Sequence, residues 1–263
     1  MFRNQYDTDI TTWSPAGRLH QVEYAMEAVK QGSACVGLKS NTLVVIGSLK
    51  RSPHAELSSY QKKLAKIDDH IGFGIAGLAS DGRVLIKNAR TQAINHKYTY
   101  DTPISVQRLV LQISDKSQVS TQRSSKRPYG VGLLISGYDE QTGTHLFQTE
   151  PSGNYYEYKA IAIGARSQSA RTYFEKNYQT FEEADEETLI LHALRALKGT
   201  TGDNVELTSK NASISIVGKD RKYKLIEEEQ LEPYLAKLEE NAAATTEQQP
   251  AEQQDDVDEE MVQ

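Results

Sequence analysis

Ser40-Asn41 is all that separates two apolar runs, ACVGLK (34–39) and TLVVIGSL (42–49), and a link that short admits only a tight hairpin. Links as brief recur later: DEQTG and PSGN join YGVGLLISGYD (129–139), THLFQTE (144–150) and YYEYKAIAIG (155–164). A hairpin makes its strands antiparallel, whereas a parallel pair needs a crossover of about a dozen residues or more. The βαβ alternation of a doubly wound fold does not fit. IGFGIAGL (71–78) reads as a further strand, and ASISIVG (212–218) and YKLI (223–226) close the series. Paired helical stretches separate these blocks. The order predicts an α+β chain: a four-layer α-β-β-α sandwich of two antiparallel sheets between helix layers.

The helical stretches have their own signals. Ser14 and Pro15 predict a helix opening, with a serine cap and a proline in the first turn. From Arg18 onward Leu19, Val22, Met26 and Val29 recur at three and four, with Ala25 beside them. They form one stripe of a helix that ends at Gly32, read as its C-terminal cap. Ser80-Asp81 is expected to cap a helix over 80–97, and Thr102-Pro103 to open another reaching 118. Two more follow at 167–178 and 185–198, and EEQLEPYLAKLEEN (228–241) makes the last. With no internal repeat and no linker, residues 18–240 read as a single domain. Residues 1–17 have few apolar anchors and are expected to be mobile.

Composition narrows the function classes. The net charge of −6 comes from the C-terminus: residues 241–263 hold seven acids and neither Lys nor Arg. Of the 36 acidic residues 29 remain for the body, beside 30 basic ones. The tail has almost nothing to bury, so 241–263 is expected to be a disordered acidic tail. A near-neutral body argues against nucleic acid as a partner. No apolar run approaches the roughly 18 residues of a spanning helix, and MFRNQYDTDI has no signal-peptide core, so a soluble intracellular protein without membrane contact is expected. The single cysteine leaves no internal disulfide and no cysteine-pair zinc site. Two basic clusters, Lys62-Lys63-Lys66 and Arg123-Lys126-Arg127, read as solvated surface before context is added.

Little catalytic chemistry is visible. His20, His54, His70, His96, His145 and His192 fall in no HxxxH or HxH spacing, so neither metal nor cofactor is expected. Phosphate-loop and nucleophile-elbow patterns are absent. What remains is QGSACVGL (31–38), where Ser33 follows Gly32 and Cys35 is close by. Either residue could be a nucleophile, Ser33 through cleavage behind Gly32, or this is only the first turn of a strand.

YDTDITTWSPAGRLHQVEYAMEAV (6–29) is similar to the N-terminal signature of proteasome α subunits, Tyr-Asp followed by Phe-Ser-Pro-x-Gly-Arg-Leu-x-Gln-Val-Glu-Tyr-Ala. GSACVGLK (32–39), KKLAKIDDHIGFGIAGL (62–78), RPYGVGLLISGYD (127–139) and GARSQSARTYFE (164–175) extend the resemblance over residues 1–240. MFRNQYD and GARSQSARTY narrow it to one subunit type, the sixth α position of the ring. Trp13 stands where Phe is usual, and SDGRVL (80–85) replaces ADARVL, where Gly82 should cost the helix about 1 kcal/mol relative to Ala.

The resemblance implies the N-terminal-nucleophile hydrolase fold and a noncatalytic subunit of the 20S core. Such a subunit works in ubiquitin-dependent and -independent protein degradation, in cytoplasm and nucleus. Implied partners are the other α subunits of a heteroheptameric ring, the β subunits of the adjacent ring, and activators that insert C-terminal tails. Ser33 falls where active β relatives expose a threonine. Their carboxylate position falls on Leu49, their assisting serine on Ala165, and their lysine on Lys63. Tyr6, Asp7, Pro15 and Tyr24 match the cluster that holds the pore-gating N-terminal segment, with a tyrosine-to-aspartate hydrogen bond. Gly32, Lys63 and Leu78 match the activator-tail pocket, where the lysine ammonium would meet a terminal carboxylate. The alternative, an amidohydrolase using Ser33, lacks its carboxylate at Leu49 and would have to lose a well-formed helix.

Overall fold

The computed structural model describes residues 5–51, 61–202 and 205–246. Chain order is α1 (His20–Gln31), β1 (Cys35–Lys39), β2 (Leu43–Leu49), β3 (Leu64–Asp68), β4 (Ile71–Gly77), α2 (Ala79–Tyr100) and α3 (Val106–Ser120). Then come β5 (Val131–Asp139), β6 (Gly143–Thr149), β7 (Tyr155–Glu157), β8 (Ala160–Ile163), α4 (Ser167–Asn177), α5 (Glu186–Lys198), β9 (Ala212–Gly218), β10 (Arg221–Glu227) and α6 (Glu232–Thr246). The strands form two five-stranded sheets, ordered β10-β9-β2-β1-β8 and β3-β4-β5-β6-β7. Every pairing is antiparallel. The sandwich read from the hairpin-length links is the observed architecture.

Both faces of the central strands are buried, so their residues alternate between two apolar layers instead of between core and water. In β1 and β2, Val36, Leu38 and Val45 join the helices α4, α5 and α6 through Phe174, Leu189, Leu194 and Leu238. Their neighbours Cys35, Val44 and Ile46 point the other way, into the seam between the sheets with Leu134 and Leu146. In β4 and β5, Phe73, Ile75, Leu133 and Ile135 pack under α2 and α3 with Leu85, Leu109 and Ile113. The seam is thin: a Cβ on Gly74 would lie 2.6 Å from Cys35 Sγ and 2.8 Å from Ile46 Cγ2.

Several local readings are corrected. α1 begins at His20 with no side-chain cap. Ser14 instead closes a turn before it, its Oγ accepting from Arg18 N–H at 3.0 Å and its carbonyl from Gly17 N–H at 2.9 Å. Gly32 is the C-terminal cap of α1, as read, its N–H donating to the Ala28 and Val29 carbonyls, but with φ −62° it is not left-handed. It is required by a close approach, because a Cβ there would sit 2.2 Å from the amide nitrogen of Gly77. The short edge strand β3 carries no clear sequence signal, its apolar residues interrupted by lysine and aspartate. YYEYKAIAIG, read as one strand, is two: β7 pairs with β6 in one sheet and β8 with β1 in the other. α6 also continues to Thr246, past the boundary drawn at 240; residues 247–263 lie outside those described.

Two carboxylates expected elsewhere, or unnoticed, fasten helices α2 and α3. Asp139 at the end of β5 accepts the Val106 N–H at 3.0 Å, capping α3 from a distant strand. Asp81, expected as a helix cap, lies in the first turn of α2 and accepts both Arg127 Nη1 (2.6 Å) and Nη2 (2.8 Å), and the Gly130 N–H at 2.9 Å. Arg127 is thus not merely solvated. Its guanidinium holds the Asp81 carboxyl below the usual aspartate range, by hydrogen bonding first, against the opposing effect of burial. A depressed folded pKa contributes stability that is present above the unfolded value, near 4, and lost as pH falls through the folded one. Asp81→Asn should therefore lower stability at neutral pH by about 1–2 kcal/mol, with the guanidinium's exposure keeping the figure modest. The difference should shrink as pH drops below about 4; thermal unfolding of both proteins from pH 7 to 3 measures it.

Candidate functional site: a cationic cavity beside the Gly32–Ser33 junction

The end of α1, the start of β1, the approach to β3 and the end of β4 converge on a cavity of about 240 Å³. Gly32, Lys63 and Leu78, the three pocket residues named from sequence, all line it, with Arg51, Gln61 and Ile75. The tight contact of Gly32 with Gly77 brings the helix end onto the strand end, and the cavity forms beside that contact. Among the described residues its lining includes two cations and two carboxamides, Gln31 and Gln61, and no carboxylate.

Lys63 is only 4% exposed, not the surface residue its basic neighbourhood suggested. Its Nζ donates to the carbonyls of Ser33 (2.5 Å), Ala34 (3.0 Å) and Leu49 (3.4 Å). Burial lowers its pKa to about 8, with the Cys35 thiol opposing that shift and Arg51 adding to it. The same burial pushes Cys35 up to about 11. That thiol is fully enclosed and is no nucleophile at neutral pH.

Ser33 is buried, and the two successive peptides on either side of it are each held through their carbonyl. The Gly32 carbonyl accepts from Ala165 N–H at 2.7 Å, and the Ser33 carbonyl accepts from Lys63. Leu49 lends only its backbone carbonyl to Lys63. The elements needed to activate a nucleophile, a free amine and a carboxylate-supported lysine, are replaced here by an amide bond and a ring of carbonyls.

The second predicted group lies on the outer side of α1. Tyr24 Oη donates to Asp7 Oδ2 at 3.1 Å, and Gln21 Nε2 donates to the Asp7 backbone carbonyl. Tyr6 is half-buried and Pro15 exposed, and Ile10, passed over in the sequence, is 4% exposed and anchors the segment between them. Arg18, just before the helix, and Glu23 in its first turn form a two-pronged ion pair at 2.6 and 2.5 Å. Arg51 and Gln61 were also missed; the only sequence signal was a Lys-Arg pair at the end of a strand. His54 lies outside the described residues. Among the described residues no three His, Cys, Asp or Glu gather into a metal-binding group, and no helix is long and apolar enough to cross a membrane.

Comparison with known proteins identifies the family. The proteasome subunit family matches residues 29–217, and the N-terminal signature of A-type proteasome subunits matches residues 6–28. Proteasome subunit alpha type-1 of Dictyostelium discoideum is 56% identical over 240 residues, covering 91% of this chain and 96% of that protein. The probable proteasome subunit alpha type-6 of Schizosaccharomyces pombe is 55% identical over 238 residues, covering 90% and 87%. Proteasome subunit alpha type-1 of Drosophila melanogaster is 47% identical over 246 residues, covering 92% and 87%. The α ring these subunits build with one another is a noncatalytic part of the 20S core. The chain belongs to the α-type subunits of the proteasome.

Proposed function

We propose that this chain is itself without peptidase activity, and that it serves the α ring as scaffold, gate element and docking point for activators. The observation that carries the reading is the intact Gly32–Ser33 peptide: its carbonyl is hydrogen-bonded to Ala165 N–H, the following carbonyl of buried Ser33 to Lys63, and α1 is covalently continuous with β1. An N-terminal nucleophile needs that bond broken and its amine free. Its neighbours are the six other α subunits of a heteroheptameric ring and the β subunits of the adjacent ring. Its place is the cytoplasm and nucleus, a reading to which the single, buried, unpaired cysteine lends modest support. Intact mass of the chain from assembled particles should retain residues 1–32, and Ser33→Ala should leave every peptidase activity of the particle unchanged. A chain shortened to begin at Ser33, or one cleavage specificity lost in the variant, would overturn the noncatalytic reading in favour of an amidohydrolase.

The gating role falls to the segment before α1. Asp7 is bound to that helix by its side chain, to Tyr24, and by its carbonyl, to Gln21. We assign this tether to the open position of the segment, and assign Tyr6 and Pro15 to the same gate cluster on the family motif. The cavity lined by Gly32, Lys63 and Leu78 receives the C-terminal tail of an activator: it is cationic, has no carboxylate among its described lining residues and has an apolar side. Asp7→Ala should leave assembly and basal small-peptide hydrolysis unchanged. With activator it should make opening less complete, since a lost hydrogen bond of about 0.5–1.5 kcal/mol shifts a two-state balance severalfold. Hydrolysis with and without activator is the measurement, and a raised basal rate would reassign Asp7 to the closed position.

A further inference from the structure

We propose that Thr180 is a phosphorylation site for a kinase that reads acidic sequence, and that the buried His192 receives the phosphate. Thr180 is exposed and closes a short 3₁₀ turn (Tyr178–Thr180) in the joint between α4 and α5. Five of the seven residues after it are acidic: Glu182, Glu183, Asp185, Glu186 and Glu187. Four of these are engaged, Glu182 by Lys159, Asp185 by the Thr188 N–H, Glu186 by Arg221 and Glu187 by Lys237. Glu183, the third residue beyond the hydroxyl, is exposed and forms no ion pair with a described residue. Acids on the C-terminal side of an exposed hydroxyl suit a kinase whose substrate groove is basic. The joint is also built to open. Tyr178, Gln179, Thr180, Glu182 and Glu183 are all exposed, and only Phe181 turns inward, its ring 5.9 Å from that of Phe174. The bonds within the turn are long, Phe181 N–H to Tyr178 at 3.3 Å and Ala184 N–H to Phe181 at 3.2 Å. Outside it, the Glu182 carbonyl accepts the Asn41 N–H at 3.0 Å. Such a segment opens locally while the helices on either side stay packed.

The inner side of the joint offers the phosphate a partner. His192 of α5 is 8% exposed, with its ring edge-on to Phe181. Its Nδ1 lies 2.7 Å from Tyr173 Oη. With that hydroxyl donating to Nδ1, the ring proton sits on Nε2, which faces Thr180 Oγ1 across 3.5 Å, the outer limit of a hydrogen bond. Thr180 Oγ1 spends its own proton on the Asn177 carbonyl at 2.8 Å. The Nε2–H is thus a buried donor with a slack partner. Burial first, and Arg195 second, hold His192 below the usual histidine range, so the unmodified ring is neutral. In the transfer, the γ-phosphorus of ATP forms a bond to Oγ1 and its bond to the oxygen of ADP breaks, while the hydroxyl proton leaves to the base of the kinase. The phosphate oxygens then bring a strong acceptor within reach of Nε2–H and draw a second proton onto the ring. The resulting imidazolium–phosphate pair pins the joint to α5.

The test uses assembled particles carrying wild-type chain, Thr180→Ala, Glu183→Gln or His192→Gln, treated with casein kinase 2 and Mg-ATP. Phosphate is mapped by mass spectrometry and then removed with a broad-specificity phosphatase. Wild-type chain should gain phosphate on Thr180, and Thr180→Ala should gain none in that peptide. Glu183→Gln should slow the modification about tenfold, and His192→Gln should let the phosphatase remove the group about tenfold faster. Because His192→Gln could disturb packing, a cryo-EM map of phosphorylated wild-type particles gives an independent reading: a phosphate oxygen should lie about 3 Å from His192 Nε2. No phosphate on Thr180 under conditions that fully modify casein would overturn the site. An unchanged rate in Glu183→Gln would overturn recognition through the acidic run. A phosphate turned to solvent in the map would overturn the role of His192.

Discussion

The ammonium of Lys63 lies where three stretches of chain that are remote in sequence come together. Its own backbone leads into β3, while the carbonyls it binds belong to the start of β1 and the end of β2. Ala34 also accepts the Leu49 N–H at 3.0 Å, so ammonium and strand ladder converge on one oxygen. One buried charge thereby holds together two strands of one sheet and the edge of the other. Burial alone would expel such a charge; the carbonyls make it tolerable by replacing its lost water. The position of α1 follows, because the helix runs into this knot through Gly32 with no intervening loop.

On the noncatalytic reading proposed above, that arrangement gives a physical account of how a hydrolase-like sandwich would serve without hydrolysis. The difference from an enzyme of this architecture does not lie in the sheets. It lies in a peptide bond left in place, a leucine where a carboxylate would orient the lysine, and a glycine contact that seats the helix end. Gly32 and Gly77 approach so closely that the helix could not retreat and leave the same wall behind. The lysine was then free to become a structural tie.

Much of this was legible beforehand, and the failures have physical causes. Hairpin-length links between apolar runs fixed the antiparallel sandwich, because loop length limits strand direction however the side chains pack. Caps were misread where a tertiary partner supplied what a local residue was expected to give. Asp139 caps α3 from β5, and Asp81 was drawn to Arg127, distances in sequence that no local pattern encodes. Gly32, Lys63 and Leu78, named through the family motif, do line one cavity. Lys63's inward turn was invisible, since a lysine between charged neighbours reads as surface until a packed backbone offers it carbonyls. Arg51 had no motif to mark it.

The run YYEYKAIAIG also misled, and its true course has a mechanical consequence. Tyr155–Glu157 hydrogen-bonds into one sheet and Ala160–Ile163 into the other, with only Tyr158 and Lys159 between. Both bridging residues are bonded too, Tyr158 N–H to Leu146 and the Lys159 carbonyl to Lys39 N–H. A slip of one residue in either ladder would turn every side chain to the opposite face. Here two residues are too few to absorb such a slip, so an error in one sheet is transmitted at once to its partner. The strap works as a dowel between two boards, making the alignment of each sheet a condition for the alignment of the other.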